Sequence, residues 1–231
     1  MTLLWESLQE AIRLITSGDP LVYGAAMRSV WISALAVACA ALIGLPLGTL
    51  LARLCFPGRR WFVLLFRAAM AVPTVFVGLV CYALFSRDGP LGPAELLYTP
   101  WAIVLGEFVL AFPLIVSITH GAVQSLDARV GETAWTLGAG PLRRWRSYFS
   151  EARTGILLAV VTAYARCVTE LGIAMMVGGN IKGRTQTLAT AAALETGKGE
   201  FARGLAMGFC LLLIALVVMG VIVAMGREEQ Q

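Results

Sequence analysis

Residues 125–153, SLDARVGETAWTLGAGPLRRWRSYFSEAR, form the longest polar interval in an otherwise apolar chain. The interval carries Arg129, Arg143, Arg144, Arg146 and Arg153. Asp127 to Leu137 reads as a helix, and Gly138-Ala139-Gly140 supplies the left-handed or cap conformations that end one. Pro141 then suits the first position of a second helix, because its ring presets the helical φ. The stretch predicts two short helices joined by a sharp elbow, lying between two membrane spans and held at the surface. One reading is an ordinary solvated loop whose charges merely fix topology. A basic, ordered elbow also offers a soluble partner something to grip.

Composition around this interval places the chain in the membrane class. Of 231 residues, 58% are hydrophobic and only 14% charged, well outside the averages of soluble domains. The expected fold class is an all-α membrane protein, a single domain over residues 1–231. There is room for about five spans of ~20 residues. They are expected near residues 30–54, 61–85, 100–118, 155–177 and 201–226. The net charge of +4 is small and clusters at span ends, so it speaks to topology and gives no sign of nucleic acid. The five cysteines lack any Cys-x-x-Cys spacing and read as small buried hydrophobes. The single histidine, His120, cannot supply a bis-histidine haem site and reads as interfacial. Neither a metal nor a cofactor is expected. Gly179 to Thr185 does not meet the spacing of a phosphate-binding loop, so the chain cannot bind ATP by that device and no catalytic residue is assigned.

Taken in order, residues 2–16 place Leu4, Leu8, Ala11, Ile12 and Ile15 on one helical face. That is an amphipathic helix for the interface, with neither the basic lead nor the cleavage site of a signal peptide. Gly44 and Gly48 form a small-xxx-small pair in the first span, suited to close helix packing. In the second span, Arg67 lies near one end and can snorkel, whereas Pro73-Thr74 can break the helix and free a carbonyl toward a cavity. Glu107, deep in the third span, either pairs inside the bundle or faces a pathway. Arg166 and Glu170 are four residues apart in the fourth span, hence on one face and able to pair. Gly178-Gly179-Asn180 halts that helix. Residues 181–200 contain an Ala-rich helix, Leu188 to Glu195, preceded by Thr185 and Thr187. They form either a re-entrant segment covered by protein or an external hairpin. Amides at that helix start, with Lys182 and Arg184 nearby, would suit an oxyanion. Polarity at depth thus nominates Pro73, Thr74, Glu107, Arg166, Glu170, Gly178, Gly179, Asn180, Thr185 and Thr187 as candidates for lining a path.

Glu132-Thr133-Ala134, then Gly138, then a basic helix, resembles the EAA loop of ABC-importer permeases. Thr133 replaces the second motif residue, and Tyr148, Ser150 and Glu151 stand where the family often has Ile, Leu and Pro. In that family the loop lies in a groove of a separate ATPase and carries its movement into the membrane. The resemblance implies ATPase-coupling roles for Glu132, Ala134, Gly138, Pro141, Leu142, Arg143, Arg144 and Arg146. With PGRRW, SRDGPLG and the run from Glu170 through Gly199, nearly the whole chain looks like the tungstate-type permeases of ABC oxyanion importers. That likeness implies an importer, working by alternating access as a homodimer in the lipid bilayer. Its partners would be two copies of an ABC ATPase and an external or lipid-anchored substrate-binding protein. The implied location is a bacterial or archaeal plasma membrane, and placing the elbow in the cytoplasm puts the N-terminus outside and the C-terminus inside. A permease for molybdate, sulfate or another small solute is the alternative within this class. A self-sufficient channel or ion-coupled carrier using Glu107 and Glu170 is the alternative outside it, although no internal repeat is visible.

Overall fold

In a computed structural model, the described residues, 2–227, form eleven α-helices and one 3-10 turn at Gly92–Ala94, with no strand among them. The helices are α1 (Thr2–Thr16), α2 (Pro20–Arg53), α3 (Arg59–Ala69), α4 (Thr74–Phe85), α5 (Pro100–Gln124) and α6 (Ala128–Thr136). They continue as α7 (Pro141–Glu151), α8 (Arg153–Val168), α9 (Gly172–Gly178), α10 (Leu188–Gly197) and α11 (Phe201–Arg227). Helices α2, α5 and α11 are each long and apolar enough to cross a membrane. The pairs α3–α4 and α8–α9 reach that length only together and are bent by 100° and 59°. The described residues therefore hold three candidate crossings, or up to five if each bent pair is one. The charged tail at Glu228 and Glu229, and the side chain of Leu4, lie outside the described residues.

The centre is the seam between α2 and α5. A Cβ placed on Gly48 would sit 2.8 Å from the Val116 carbonyl oxygen and 2.9 Å from Thr119 Cβ. One on Gly44 would come within 3.0 Å of Ile115 Cγ2. Only glycine lets the backbones approach this closely, and close approach is what holds helices together where lipid competes equally for apolar side chains. Ile32, Ala36 and Ala40 of α2 and Ile103, Ala111 and Ile115 of α5 are buried along the seam. Ala163 and Cys167 of α8 and Ile173 and Val177 of α9 close over it. A second cluster joins Ala11 of α1 and Val22 and Ala25 of α2 to Leu188, Ala191, Ala206 and Met207 of α10 and α11.

Several boundaries differ from the hydropathy pattern, each for a local reason. Helix α2 begins ten residues before Val30, because Asp19 accepts hydrogen bonds from the Leu21 and Val22 amides and Pro20 presets the first turn. The stretch 61–85 is two helices, since Pro73 lacks an amide proton and disfavours helical backbone before it. Helix α3, including Arg67, has no buried residue. Residues 185–191 are buried, with α10 packed on α2 and α11, so the segment is covered by the chain itself. Gly204 faces α10 at Thr196, whereas Gly208 faces open space. Cysteine behaves less uniformly than expected: Cys81 and Cys167 are buried, but Cys39 and Cys55 are exposed.

Arginines tie the helix ends. At the end nearest the elbow, Arg59 Nε donates to the Leu51 carbonyl at 2.5 Å and Nη2 to that of Ala52 at 3.2 Å. Arg59 Nη2 also lies 3.4 Å from Nε2 of His120, which is buried and not interfacial. Arg53 Nη2 donates to the Val123 carbonyl at 2.9 Å. These are last-turn carbonyls that have no intrahelical donor. At the opposite end Arg28 Nε donates to the Gln186 carbonyl at 2.7 Å, and Ser29 Oγ accepts from the Leu188 amide at 2.8 Å. Gly48→Ala is expected to overpack the seam and lower the thermal stability of the detergent-solubilised protein by about 1–3 kcal/mol. Gly208→Ala should change it by no more than about 0.5 kcal/mol. Equal melting of the two variants would contradict the close-packed seam.

Candidate functional site

The elbow is shaped almost entirely by its main chain. Asp127 caps α6 by accepting from the Arg129 amide at 2.9 Å. Gly138 has φ +75°; its amide donates to the Trp135 carbonyl and that of Ala139 to the Ala134 carbonyl, both at 2.9 Å. This pair of bonds is a Schellman stop, which requires the left-handed residue that glycine supplies. Gly140 then caps α7 and Pro141 takes its first position. Between the helices runs a shallow groove lined by Val130, Thr133, Ala134, Leu137, Ser147 and Glu151. Glu132, Gly138, Pro141, Arg143 and Arg146 are exposed, while Ala134 and Arg144 are partly covered.

The elbow also presents apolar side chains to solvent. Trp135 is 70% exposed, Leu137 81% and Leu142 73%. Large apolar side chains exposed among charges are the kind that a protein or membrane surface covers. Leu142 was among the expected coupling residues, but Trp135 and Leu137 were not. The signal for them was present: on a polar surface loop, apolar residues with no core to enter are the ones a partner would cover. At the root of the elbow, the Arg53 guanidinium carbon lies 4.4 Å from the centroid of the Tyr148 ring.

The path candidates fall into two separate groups. The first gathers where both bent pairs break. Arg166 Nη1 lies 3.0 Å from Glu170 Oε2, with the arginine side chain 45% exposed and the glutamate 2%. Glu170 Oε1 accepts from the Ile173 amide at 3.2 Å and so caps α9. Thr74, the first residue of α4 after Pro73, packs beside it: a Cβ on Gly172 would meet Thr74 Oγ1 and Glu170 Oε1, each at 3.2 Å. Glu107 is buried on α5, its carbonyl 3.7 Å from Cys167 Sγ and its Oε2 without a hydrogen-bond partner among the described residues. The second group lies at the end of the bundle opposite the elbow. Thr185 Oγ1 donates to the Gly178 carbonyl at 2.6 Å and accepts from the Ile181 amide at 2.9 Å. Gly179 has φ +67° and is closed over by the Tyr98 ring; Asn180 Nδ2 donates to the Thr190 carbonyl at 3.3 Å. Thr187 forms a capping box with Thr190 at the start of α10. Thr185 and Thr187 are buried and bonded within the chain, whereas Lys182 and Arg184 are exposed. Among the described residues, no cluster of His, Cys, Asp and Glu could hold a metal ion.

Against this geometry stand the likenesses to known proteins. The family described as binding-protein-dependent transport system inner membrane component matches residues 44–228. The chain is 35% identical over 228 residues to the tungstate uptake system permease protein TupB of Peptoclostridium acidaminophilum, covering 99% of this chain and 100% of that one. It is 40% identical over 160 residues to TupB of Campylobacter jejuni subsp. jejuni, covering 69% and 67%. A chain of the MetNI methionine ABC transporter, solved in inward-facing conformations, superposes with a TM-score of 0.70 at 17% identity, covering 90% of this chain and 95% of that one. At that identity the last likeness speaks to the fold alone.

The elbow's backbone yields a direct test. Gly138→Ala places a Cβ in a left-handed conformation that costs about 1–2 kcal/mol, so tryptic cleavage at Arg143 and Arg144 should accelerate several-fold. Gly140, with φ −64° and nothing within 4 Å of a Cβ, should tolerate alanine with no change. Equal cleavage rates would refute the Schellman stop.

Proposed function

The chain belongs to the family of binding-protein-dependent transport system inner membrane components, and from that premise we propose that it is the transmembrane subunit of an ATP-driven importer carrying an oxyanion, tungstate foremost. The observation that carries the coupling part is the capped elbow with Trp135, Leu137 and Leu142 exposed among arginines. The near full-length likeness to a tungstate uptake permease supports the choice of ion.

In this proposal two copies of the chain pair in the inner membrane of a bacterium or archaeon. Two ABC ATPase subunits seat on the elbows through Glu132, Ala134, Gly138, Pro141, Leu142, Arg143, Arg144 and Arg146. An external or lipid-anchored binding protein delivers the ion to the other face. The elbow then lies in the cytoplasm, with the N-terminus outside and the C-terminus inside. ATP draws the ATPases together, the elbows follow, and the helices tilt from one access state to the other.

The path is proposed to pass the breaks at Pro73-Thr74 and Thr169-Leu171. Arg166 is the cation there whose side chain is open, and Glu170 offsets its charge. A charged side chain exposed at this depth belongs on water or a second copy and not on lipid. A neutralised pair suits transit, since a dianion must be attracted yet not trapped. Glu107 is buried on α5, its carbonyl against Cys167 of the helix that carries Arg166. Gly178, Gly179, Asn180, Thr185 and Thr187 shape the outer end of the path, their hydrogen bonds made largely within the chain.

Uptake into vesicles carrying ATPase, binding protein and this chain tests the proposal. Tungstate should enter only with ATP, and excess molybdate or sulfate should compete less well than unlabelled tungstate. Arg166→Ala should lower uptake by about tenfold, the effect of ~1.4 kcal/mol, with the ATPase still bound. Flux through the chain alone in liposomes would overturn the importer reading, and unchanged uptake in Arg166→Ala would remove Arg166 from the path.

A further inference from the structure

The elbow is joined covalently to α5 through residues 125–127 and to α8 through Ala152. Neither link reaches α2, the other half of the glycine seam. The guanidinium of Arg53 does. Arg53 is the last residue of α2; its Nη2 holds the Val123 carbonyl in the final turn of α5 at 2.9 Å. Its face lies over the Tyr148 ring of α7, 4.4 Å from the centroid. The Tyr148 hydroxyl in turn fills the space above Gly131 of α6, where any Cβ would overlap it. Four helices therefore meet at one arginine–tyrosine stack.

We propose that Arg53 and Tyr148 are the joint through which movement of the elbow reaches α2, making them positioning residues for transport. The inference rests on the proposal that an ATPase moves the elbow. A planar cation on an aromatic face resists both sliding and separation once it is partly shielded from water. Helix α2 then acts as a lever. From Arg53 to Arg28 it spans about 38 Å at 1.5 Å per residue. At its far end Arg28 and Ser29 hold the backbone of Gln186 and Leu188 at 2.7 and 2.8 Å. One continuous helix, with Pro46 inside it and closely packed on α5, thus links the surface that a partner covers to the buried segment at the opposite end.

The test uses the whole transporter, purified with its ATPase and reconstituted with the binding protein. Tyr148→Phe keeps the ring and should transport within about twofold of the parent. Tyr148→Leu and Arg53→Met remove the cation–π stack, and each should reduce tungstate uptake and substrate-stimulated ATP hydrolysis by about fivefold, roughly what one cation–π contact contributes. The ATPase should still co-purify with both, and its unstimulated turnover should persist. Gly131→Ala should uncouple similarly by displacing the ring, and adding Tyr148→Phe should restore coupling, because the overlapping oxygen is gone. That rescue distinguishes a joint from a mere fold defect and decides the matter even if Tyr148→Leu does not fold. Full coupling in Arg53→Met, or no rescue of Gly131→Ala by Tyr148→Phe, would overturn the joint. Failure of the ATPase to associate with the unaltered chain would instead overturn the elbow proposal, and this inference with it.

Discussion

Everything in this bundle depends on how near two backbones can come at Gly48. Lipid tails are as apolar as the side chains they would replace, so apolar burial gives helices little reason to prefer one another. Van der Waals contact at very short range is what remains. The 2.8 Å that separates a hypothetical Gly48 Cβ from the Val116 carbonyl shows how completely the α2–α5 seam uses it. Helices α8 and α9 cover this seam, and the bent pairs lie against two helices that each run unbroken, with Pro46 and Pro113 inside them.

Irregular backbone inside a membrane protein must find its hydrogen bonds within the chain. That requirement explains where the polar side chains are. Glu170 holds the Ile173 amide in the first turn of α9, Thr185 and Thr187 hold the turn before α10, and Arg53 and Arg59 hold the last carbonyls of α5 and α2. The residues that look most like a transport path are largely those that make breaks in the helices tolerable. Arg166 differs, because its partner is buried while it remains half open.

The parts legible in the sequence were those decided by neighbours a few residues apart. Gly138 and Pro141 announce the elbow because a left-handed stop and a preset first turn are local events. Arg166 and Glu170 announce their pair by helical spacing alone. The early start of α2 was available in Asp19 and Pro20, but apolar content alone points to Val30. Pro73 declares a break without declaring its angle, which packing of α4 on α9 determines. The burial of residues 185–191 was not legible, because it depends on Arg28 and Ser29, nearly 160 positions away in the chain. For the same reason Tyr148 reads as a departure from a motif until Arg53 is seen above it.

The elbow's stop is written in main-chain bonds and two special residues, so its outline makes no demand on Trp135, Leu142 or the arginines beside them. Such a frame lets recognition drift while geometry stays constant. In the proposed importer, gene duplicates could retune their choice of ATPase by altering a few protruding side chains, leaving the stop beneath them untouched.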